Sequence, residues 1–232
     1  MPHLSLADWE RIEGIKKMVE KSLAPRTWRA YDTYWKQWLE CRVLRVWVVG
    51  HSYVHWARAR AMASGLGENL GFAHRLASIR WIGKRGMRWG ELVATIQQTR
   101  KRWGPPDALI IHLGGNDIGA LPLKELEDSI KGVISWLKVA WPQVQVIWSN
   151  IISRIRWRNT NTQRAGYRSR RRVNQVAAKI VREIGGRVLE HPLIVAKREE
   201  LFRADGVHLN EEGNDRFLED IRMLVAELAQ VH

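Results

Sequence analysis

The chain has 232 residues, of which 45% are hydrophobic and 27% are charged, a composition typical of a folded globular protein. No apolar run approaches the roughly 20 residues of a membrane-spanning helix, and the single cysteine, Cys41, excludes an internal disulfide framework. The 38 Lys and Arg residues outnumber the 24 Asp and Glu residues, and the resulting net charge of +14 favours anionic partners.

The first 41 residues are predicted to form a short helical extension, separate from a domain over residues 42–232. Trp28, Tyr31, Trp35 and Trp38 recur at spacings of three and four residues, which places them on one face of a helix. The N-terminus lacks the basic start and apolar stretch of a secretory signal. With a lone cysteine, this predicts an intracellular protein, and the choice between cytoplasm and nucleus stays open.

From residue 42 onward, apolar runs alternate with segments of helical periodicity. Leu126, Ile130, Ile134 and Leu137, for example, follow the spacing of one helix face. The predicted strands are Val43–Val49, Ser78–Ile82, Ala108–Leu113, Val144–Ser149 and Arg187–Glu190. Because strands that alternate with helices form parallel sheets covered on both faces, we expect an α/β fold. Its architecture would be a three-layer, doubly wound sandwich with a five-stranded parallel sheet.

Three short motifs carry the residue types of a hydrolytic site. Gly50-His51-Ser52 ends the first predicted strand, Gly114-Gly115-Asn116-Asp117 ends the third, and Asp205-Gly206-Val207-His208 precedes the last helical segment. In an open α/β sheet, ligands bind at the carboxyl ends of the strands. Serine, histidine and aspartate together form a nucleophilic triad. Each motif alone is more often a cap, a turn or a satisfied histidine, but those alternatives do not explain why all three share one edge.

Together with Gly83-Lys84-Arg85-Gly86 after the second strand, these three motifs resemble the four sequence blocks of the SGNH hydrolases, also called the GDSL esterase/lipase family, over residues 42–232. The resemblance implies a flavodoxin-like fold and cofactor-free cleavage of carboxylic esters through an acyl-enzyme on Ser52. It makes Asp205 and His208 the other triad members. The oxyanion would be met by the backbone of Ser52, by Asn116 and by Gly86, the last residue of Gly83-Lys84-Arg85-Gly86. His51 stands where the family usually has aspartate, which leaves the support of the nucleophile turn open.

A weaker resemblance links the segment from Leu23 to Tyr31 with the start of the helical core-binding domain of tyrosine recombinases. Some retrotransposons with such a recombinase also carry an SGNH-type domain. The resemblance therefore implies a transposon-derived protein with a recombinase-like remnant at its N-terminus.

The positive charge is densest between residues 154 and 172, which contain no acid. The eight arginines are Arg154, Arg156, Arg158, Arg164, Arg168, Arg170, Arg171 and Arg172. Such a block attracts nucleic acid or anionic lipid, although a solvated face that aids solubility explains it equally well. Because the block follows the fourth strand, we expect its first part at the same edge as Ser52. The alternative function is therefore a nucleic-acid- or anionic-surface-binding accessory protein that keeps the hydrolase fold.

The histidines show no metal-ligand spacing to one another or to Cys41, so no metal is predicted. The expected small ester substrate needs no cofactor either. The acyl group of that substrate and the oligomeric state do not follow from the sequence.

Overall fold

The computed structural model describes residues 14, 17, 18, 27 and 43–231 of the chain. Residues 44–231 form one compact unit. The predicted N-terminal helices with their aromatic stripe, the recombinase-like segment and Cys41 lie outside the described residues, apart from those few positions. The fold below is therefore that of the domain predicted from residue 42 onward.

Five parallel strands form the central sheet, as predicted. They are β1 (Leu44–Gly50), β2 (Ala77–Gly83), β3 (Ala108–His112), β4 (Gln145–Ser149) and β5 (Arg187–Leu189). Their spatial order is β2-β1-β3-β4-β5, with every neighbouring pair parallel. This is a doubly wound order in which the chain reverses its direction of progress between β1 and β3. Loops leaving those two strands diverge, and a crevice opens between them.

Five α-helices between residues 43 and 231 cover the two faces of the sheet. They are α1 (Ser52–Ala63), α2 (Leu92–Trp103), α3 (Leu123–Ala140), α4 (Gln163–Glu183) and α5 (Glu211–Val231). Helices α1 and α5 pack on one face, and α2, α3 and α4 pack on the other. None of the helices in the described part of the chain is long and apolar enough to cross a lipid bilayer.

The continuous apolar strands are explained by this double covering. In β1, Val46 and Val48 point into the layer of α1 and α5, whereas Trp47 and Val49 point into the opposite layer. All four are buried. A strand with one solvent-exposed face would alternate apolar and polar residues instead. The three-layer sandwich is thus a direct consequence of the apolar runs.

Two glycines allow the elements around the crevice to approach one another. A Cβ atom on Gly50 would lie 2.2 Å from the carbonyl oxygen of His112, and one on Gly83 would lie 2.4 Å from the backbone nitrogen of His55. Both contacts are with backbone, which cannot move aside. Glycine at these two strand ends therefore lets β3 and α1 close in around the turn that carries Ser52.

Candidate active site

A cleft of about 670 Å³ opens at the carboxyl ends of β1 and β3, at the reversal point of the sheet. Four of the five predicted site residues, Ser52, Gly86, Asn116 and His208, line it. The fifth, Asp205, contacts His208. The volume is within the usual range for small-molecule sites. The predicted residues thus meet at one place, as the shared edge required.

Ser52, His208 and Asp205 form a continuous chain of hydrogen bonds. The distance between Nε2 of His208 and Oγ of Ser52 is 3.0 Å, and Nδ1 of His208 lies 2.6 Å from Oδ2 of Asp205. Both are hydrogen-bond distances. A carboxylate on Nδ1 fixes the tautomer that leaves Nε2 free to accept a proton from the hydroxyl.

The surroundings of Asp205 keep its carboxyl ionised. Oδ1 accepts hydrogen bonds from the backbone N–H groups of Val207 and His208, each at 2.9 Å. Burial acts to raise the pKa of Asp205, but these two N–H groups and the His208 ring outweigh it and hold the pKa at about 2. Near neutral pH, His208 therefore has a negatively charged partner.

Tyr53 ties the Asp205–His208 loop to the helix that begins at Ser52. Its hydroxyl donates a hydrogen bond to the carbonyl oxygen of Val207, and its side chain is fully buried. Burial raises the pKa of Tyr53 to about 12, so the phenol stays protonated and can donate. Tyr53 is not among the predicted site residues, although its position directly after Ser52 is a usable signal.

Ser52, Gly86 and Asn116 place hydrogen-bond donors around the cleft. Ser52 is the first residue of α1, where backbone N–H groups lack helical partners. Gly86 has a φ of +76° and lies in a turn, and its N–H has no acceptor among the described residues. This turn is held against β1 by a hydrogen bond from the N–H of Lys84 to the carbonyl of Gly50.

The side-chain amide of Asn116 is held in one orientation. Its Oδ1 accepts a hydrogen bond of 3.1 Å from Nη2 of Arg154, and its Nδ2 donates one of 3.0 Å to the carbonyl of Met87. Because a guanidinium can only donate and a carbonyl can only accept, a flipped amide would lose both bonds. The second hydrogen on Nδ2 remains available to the cleft. Arg154 was counted in the basic block, so this contact was not anticipated.

His51 supports the turn that carries Ser52 in place of the usual aspartate. It is fully buried at the N-cap of α1, where its Nδ1 accepts a 3.4 Å hydrogen bond from the N–H of Tyr53. Burial lowers the pKa of His51 well below its usual value, and the nearby Arg154 and His208 lower it further. The ring is therefore neutral, and it replaces a carboxylate cap with an uncharged one.

A second Asp–His–Ser set lies in the core. Ser149 Oγ is 2.8 Å from Nδ1 of His112 and 2.7 Å from Nε2 of His191, and Nδ1 of His191 is 2.7 Å from Oδ2 of Asp220. Ser149 has no solvent exposure and does not line the cleft. It therefore has no access to a substrate. The spacing of these histidines along the chain bears only on metal binding and does not reveal the network.

The eight arginines of residues 154–172 do not form one solvated face. Arg154 is buried in the cleft and Arg158 lies at its mouth, which confirms that the block begins at the edge of Ser52. Arg170 donates to the carbonyl of Ile151, and Arg172 forms an ion pair of 2.8 Å with Glu127. The remaining members are exposed: Arg156, Arg164, Arg168 and Arg171.

Comparisons with known proteins agree with this geometry. The model of the GDSL-like Lipase/Acylhydrolase family matches residues 46–216. No curated protein matches the chain. Because the family match covers well over half of the chain, including Ser52, Gly86, Asn116, Asp205 and His208, it identifies the family independently of structural similarity.

Solved structures share the fold at low sequence identity. A psychrotrophic esterase from Pseudoalteromonas sp. has a TM-score of 0.55 and 13% identity, over 79% of this chain and 99% of that one. A GDSL-like lipase from Bacteroides thetaiotaomicron has a TM-score of 0.57 and 16% identity, over 85% and 98%. An acetyl xylan esterase from Geobacillus stearothermophilus has a TM-score of 0.54 and 16% identity, over 78% and 94%. The chain belongs to the GDSL-like lipase/acylhydrolase family.

Proposed function

We propose that the protein is a serine esterase that hydrolyses carboxylic esters through an acyl-enzyme on Ser52. The observation that carries the proposal is the hydrogen-bonded chain from Asp205 through His208 to Ser52, which ends at a cleft large enough for a small ester. The family match supports a hydrolase of this kind.

In the first half of the reaction, Oγ of Ser52 attacks the ester carbonyl carbon while Nε2 of His208 takes the hydroxyl proton. The oxygen of the resulting tetrahedral intermediate accepts hydrogen bonds from the N–H groups of Ser52 and Gly86 and from Nδ2 of Asn116. The intermediate collapses as the bond to the alcohol oxygen breaks. His208 gives its proton to that leaving alcohol, and the acyl group stays on Ser52.

In the second half, water replaces the alcohol. The oxygen of the water attacks the acyl carbon while His208 takes a proton from that water. The new oxyanion accepts hydrogen bonds from the same three donors as the first. The bond to Ser52 breaks, the proton returns from His208 to Oγ, and the carboxylic acid leaves. Throughout, the ionised Asp205 stabilises the transient imidazolium of His208.

Covalent labelling tests this proposal directly. The protein is incubated with an alkyl fluorophosphonate, which phosphonylates an activated serine, and the labelled peptide is identified by mass spectrometry. We expect one label, on Ser52, together with loss of p-nitrophenyl acetate hydrolysis in proportion to labelling. Hydrolysis that persists in fully labelled protein, or a label on Ser149, would refute the assignment.

The exposed arginines favour a second candidate function, binding of nucleic acid or an anionic surface. Arg156, Arg164, Arg168 and Arg171 are exposed and form no ion pair with an acid in the described part of the chain. We expect binding to single-stranded DNA or anionic liposomes at low salt, weakening steeply as salt rises. Replacing the four with Gln should remove that binding without changing neutral ester hydrolysis. Salt-insensitive binding, or none, would leave them as a solvated surface.

We further propose that residues 1–41 and 42–232 are separate parts of an intracellular, transposon-derived protein. The compactness of residues 44–231 supports the division. Expressing residues 42–232 alone tests it, because an independent domain should keep the unfolding midpoint and esterase activity of the full chain. Loss of either would show that the first 41 residues belong to the same folding unit.

A further inference from the structure

The lining of the cleft carries four arginines and, among the described residues, no carboxylate. Arg85 and Arg88 come from the turn after β2, and Arg154 and Arg158 come from the segment after β4. Ser52 and His208 line the same cleft. Asp205 lies beside it, but its oxygens are engaged by His208 and two backbone N–H groups, and Arg158 is 3.8 Å away. The space beside the nucleophile is therefore strongly positive.

Arg154 is the most unusual of the four because the residue is only 7% exposed and its guanidinium forms no close ion pair with a carboxylate of the described residues. One nitrogen donates to the neutral oxygen of Asn116, and the group lies 5.2 Å from the ring centroid of Trp157. Nε is buried without a hydrogen-bond partner. A buried cation without a counter-ion is costly and is usually paired. An anion entering the cleft would supply the missing partner.

Three partly exposed arginines elsewhere in residues 43–231 show what a close carboxylate partner looks like. Arg45 pairs with Asp107, Arg60 with Asp215, and Arg172 with Glu127, each at 2.8 or 2.9 Å. In the cleft, by contrast, neither Arg85 nor Arg88 forms an ion pair with any acid that the structure describes. Three guanidinium groups without an ion-pair partner, those of Arg85, Arg88 and Arg154, thus line one cleft together with Ser52.

We propose that the ester substrate carries an anionic group, a carboxylate or a phosphate, close to the ester bond. This inference rests on the proposed esterase function and specifies its substrate class. Guanidinium groups bind both anions through paired, charge-assisted hydrogen bonds. The cleft has room for such a group beyond the ester itself, and Trp157 and Ile118 provide apolar contacts for the connecting carbons.

Matched esters that differ by one charge test the proposal. The first pair, 4-acetoxybenzoate and its methyl ester, places the charge on the alcohol. The second, mono-p-nitrophenyl adipate and its methyl ester, places it on the acyl chain. After subtraction of uncatalysed hydrolysis, we expect kcat/KM to be about tenfold or more higher for the charged member of one pair, the scale of one charged hydrogen bond. The pair that responds shows which side of the ester faces the arginines.

Two variants distinguish the effect of the cleft arginines from that of the overall positive charge of the protein. Arg88→Gln should lower the charged-to-neutral ratio, whereas Arg182→Gln, an exposed change in the last turn of α4, should leave the ratio unchanged. Inhibition of methyl 4-acetoxybenzoate hydrolysis by benzoate and by phenyl phosphate then ranks the two anions. A charged-to-neutral ratio of kcat/KM of one or below in both pairs would overturn the anionic-substrate proposal. Hydrolysis of the neutral esters in that case would still support the proposed esterase function.

A binding measurement keeps the two proposals distinguishable. Calorimetric titration of 4-acetoxybenzoate into the Ser52→Ala variant reports anion binding without chemistry. Binding that weakens in the added Arg88→Gln change supports the anion site even if no ester is hydrolysed. No binding by Ser52→Ala, together with equal rates for charged and neutral esters, would overturn it.

Discussion

Two Asp–His–Ser sets lie within the same domain and differ in what surrounds them. Asp205, His208 and Ser52 end at the cleft, whereas Asp220, His191 and Ser149 end in the core. The order of hydrogen bonds is the same in both. The order of hydrogen bonds alone therefore does not identify a hydrolytic serine, which also needs access from the cleft and hydrogen-bond donors for the oxyanion.

The two serine hydroxyls also differ in their hydrogen-bond partners and in their access to the cleft. Oγ of Ser149 lies between two imidazoles, 2.8 Å from Nδ1 of His112 and 2.7 Å from Nε2 of His191. All three residues are buried, so the hydroxyl is out of reach of an ester. Ser52 has His208 as its side-chain partner and borders the cleft, close to Gly86 and Asn116. One serine completes a polar network in the core, and the other is left available to react.

The largest expected effect is that replacing one serine removes activity whereas replacing the other lowers stability. Ser52→Ala should lower kcat by about ten-thousand-fold or more with little change in the free energy of unfolding, because it removes the nucleophile. Ser149→Ala should keep kcat within a few-fold but lower the free energy of unfolding by about 1–3 kcal/mol, since it leaves buried imidazole nitrogens unpaired. Initial rates and urea unfolding measure the two quantities. If both variants lost activity alike, the comparison would fail.

Asn116→Ala should have the next largest effect. An oxyanion donor acts mainly in the transition state, so kcat should fall by about 100- to 1,000-fold while KM changes little. Steady-state kinetics with p-nitrophenyl acetate measure the split. An effect mainly on KM would make Asn116 a residue that binds substrate or anchors the loop.

Stability should fall as the pH drops below about 6.5, the ordinary pKa of histidine. Burial lowers the pKa of both His51 and His112 well below that value, so the unfolded chain binds protons that the folded chain does not. Each ring should cost about 1.4 kcal/mol of unfolding free energy per pH unit in that window. Asp117 acts in the opposite sense, because burial raises its pKa to about 6 and its protonation favours the folded state. Two rings and one carboxyl act in opposite senses, so the free energy of unfolding should fall by about 1.4 kcal/mol per pH unit, the effect of a single ring.

Urea unfolding between about pH 8 and about pH 5 measures this slope. His74→Gln, a change at an exposed position, should not alter it. A stability profile that stays flat below pH 6.5 would mean that the buried rings of His51 and His112 do not resist protonation.

The smallest effect is expected from Gly86→Ala. Gly86 has positive φ, yet an added Cβ meets nothing within 4 Å, so the cost should be only the backbone strain of about 1–2 kcal/mol. Gly83→Ala is the matched comparison, because its Cβ would lie 2.4 Å from a backbone nitrogen and should destabilise the protein more. Thermal or urea unfolding ranks the two. Equal losses would mean that the crowding at Gly83 is relieved by movement of α1.

Much of the fold followed from local patterns. Continuous apolar runs predicted all five strands to within one or two residues, because the sheet is covered on both faces. Helical periodicity predicted the buried residues of α3. The motif residues were also found, since short motifs at strand ends retain their spacing.

The contacts that support the site could not be predicted in the same way. The bond from Tyr53 to Val207 spans 154 positions, and that from Arg154 to Asn116 spans 38. Neither pair has a spacing that marks it, because tertiary packing alone brings the partners together. Arg154 is one of eight arginines in residues 154–172, so the sequence does not distinguish it from the others. His112 lies within a run that is predicted as an apolar strand, which gives no sign of a polar network.

The distance along the chain between Ser52 and His208 has a consequence for how the protein is made. The two residues are 156 positions apart, and the loop of His208 is held by Tyr53 on α1 and followed by α5, which packs against α1. During translation, Ser52 leaves the ribosome long before His208. A nascent chain therefore holds Ser52 without its histidine partner, and the hydrogen-bonded set is complete only when α5 has docked against α1.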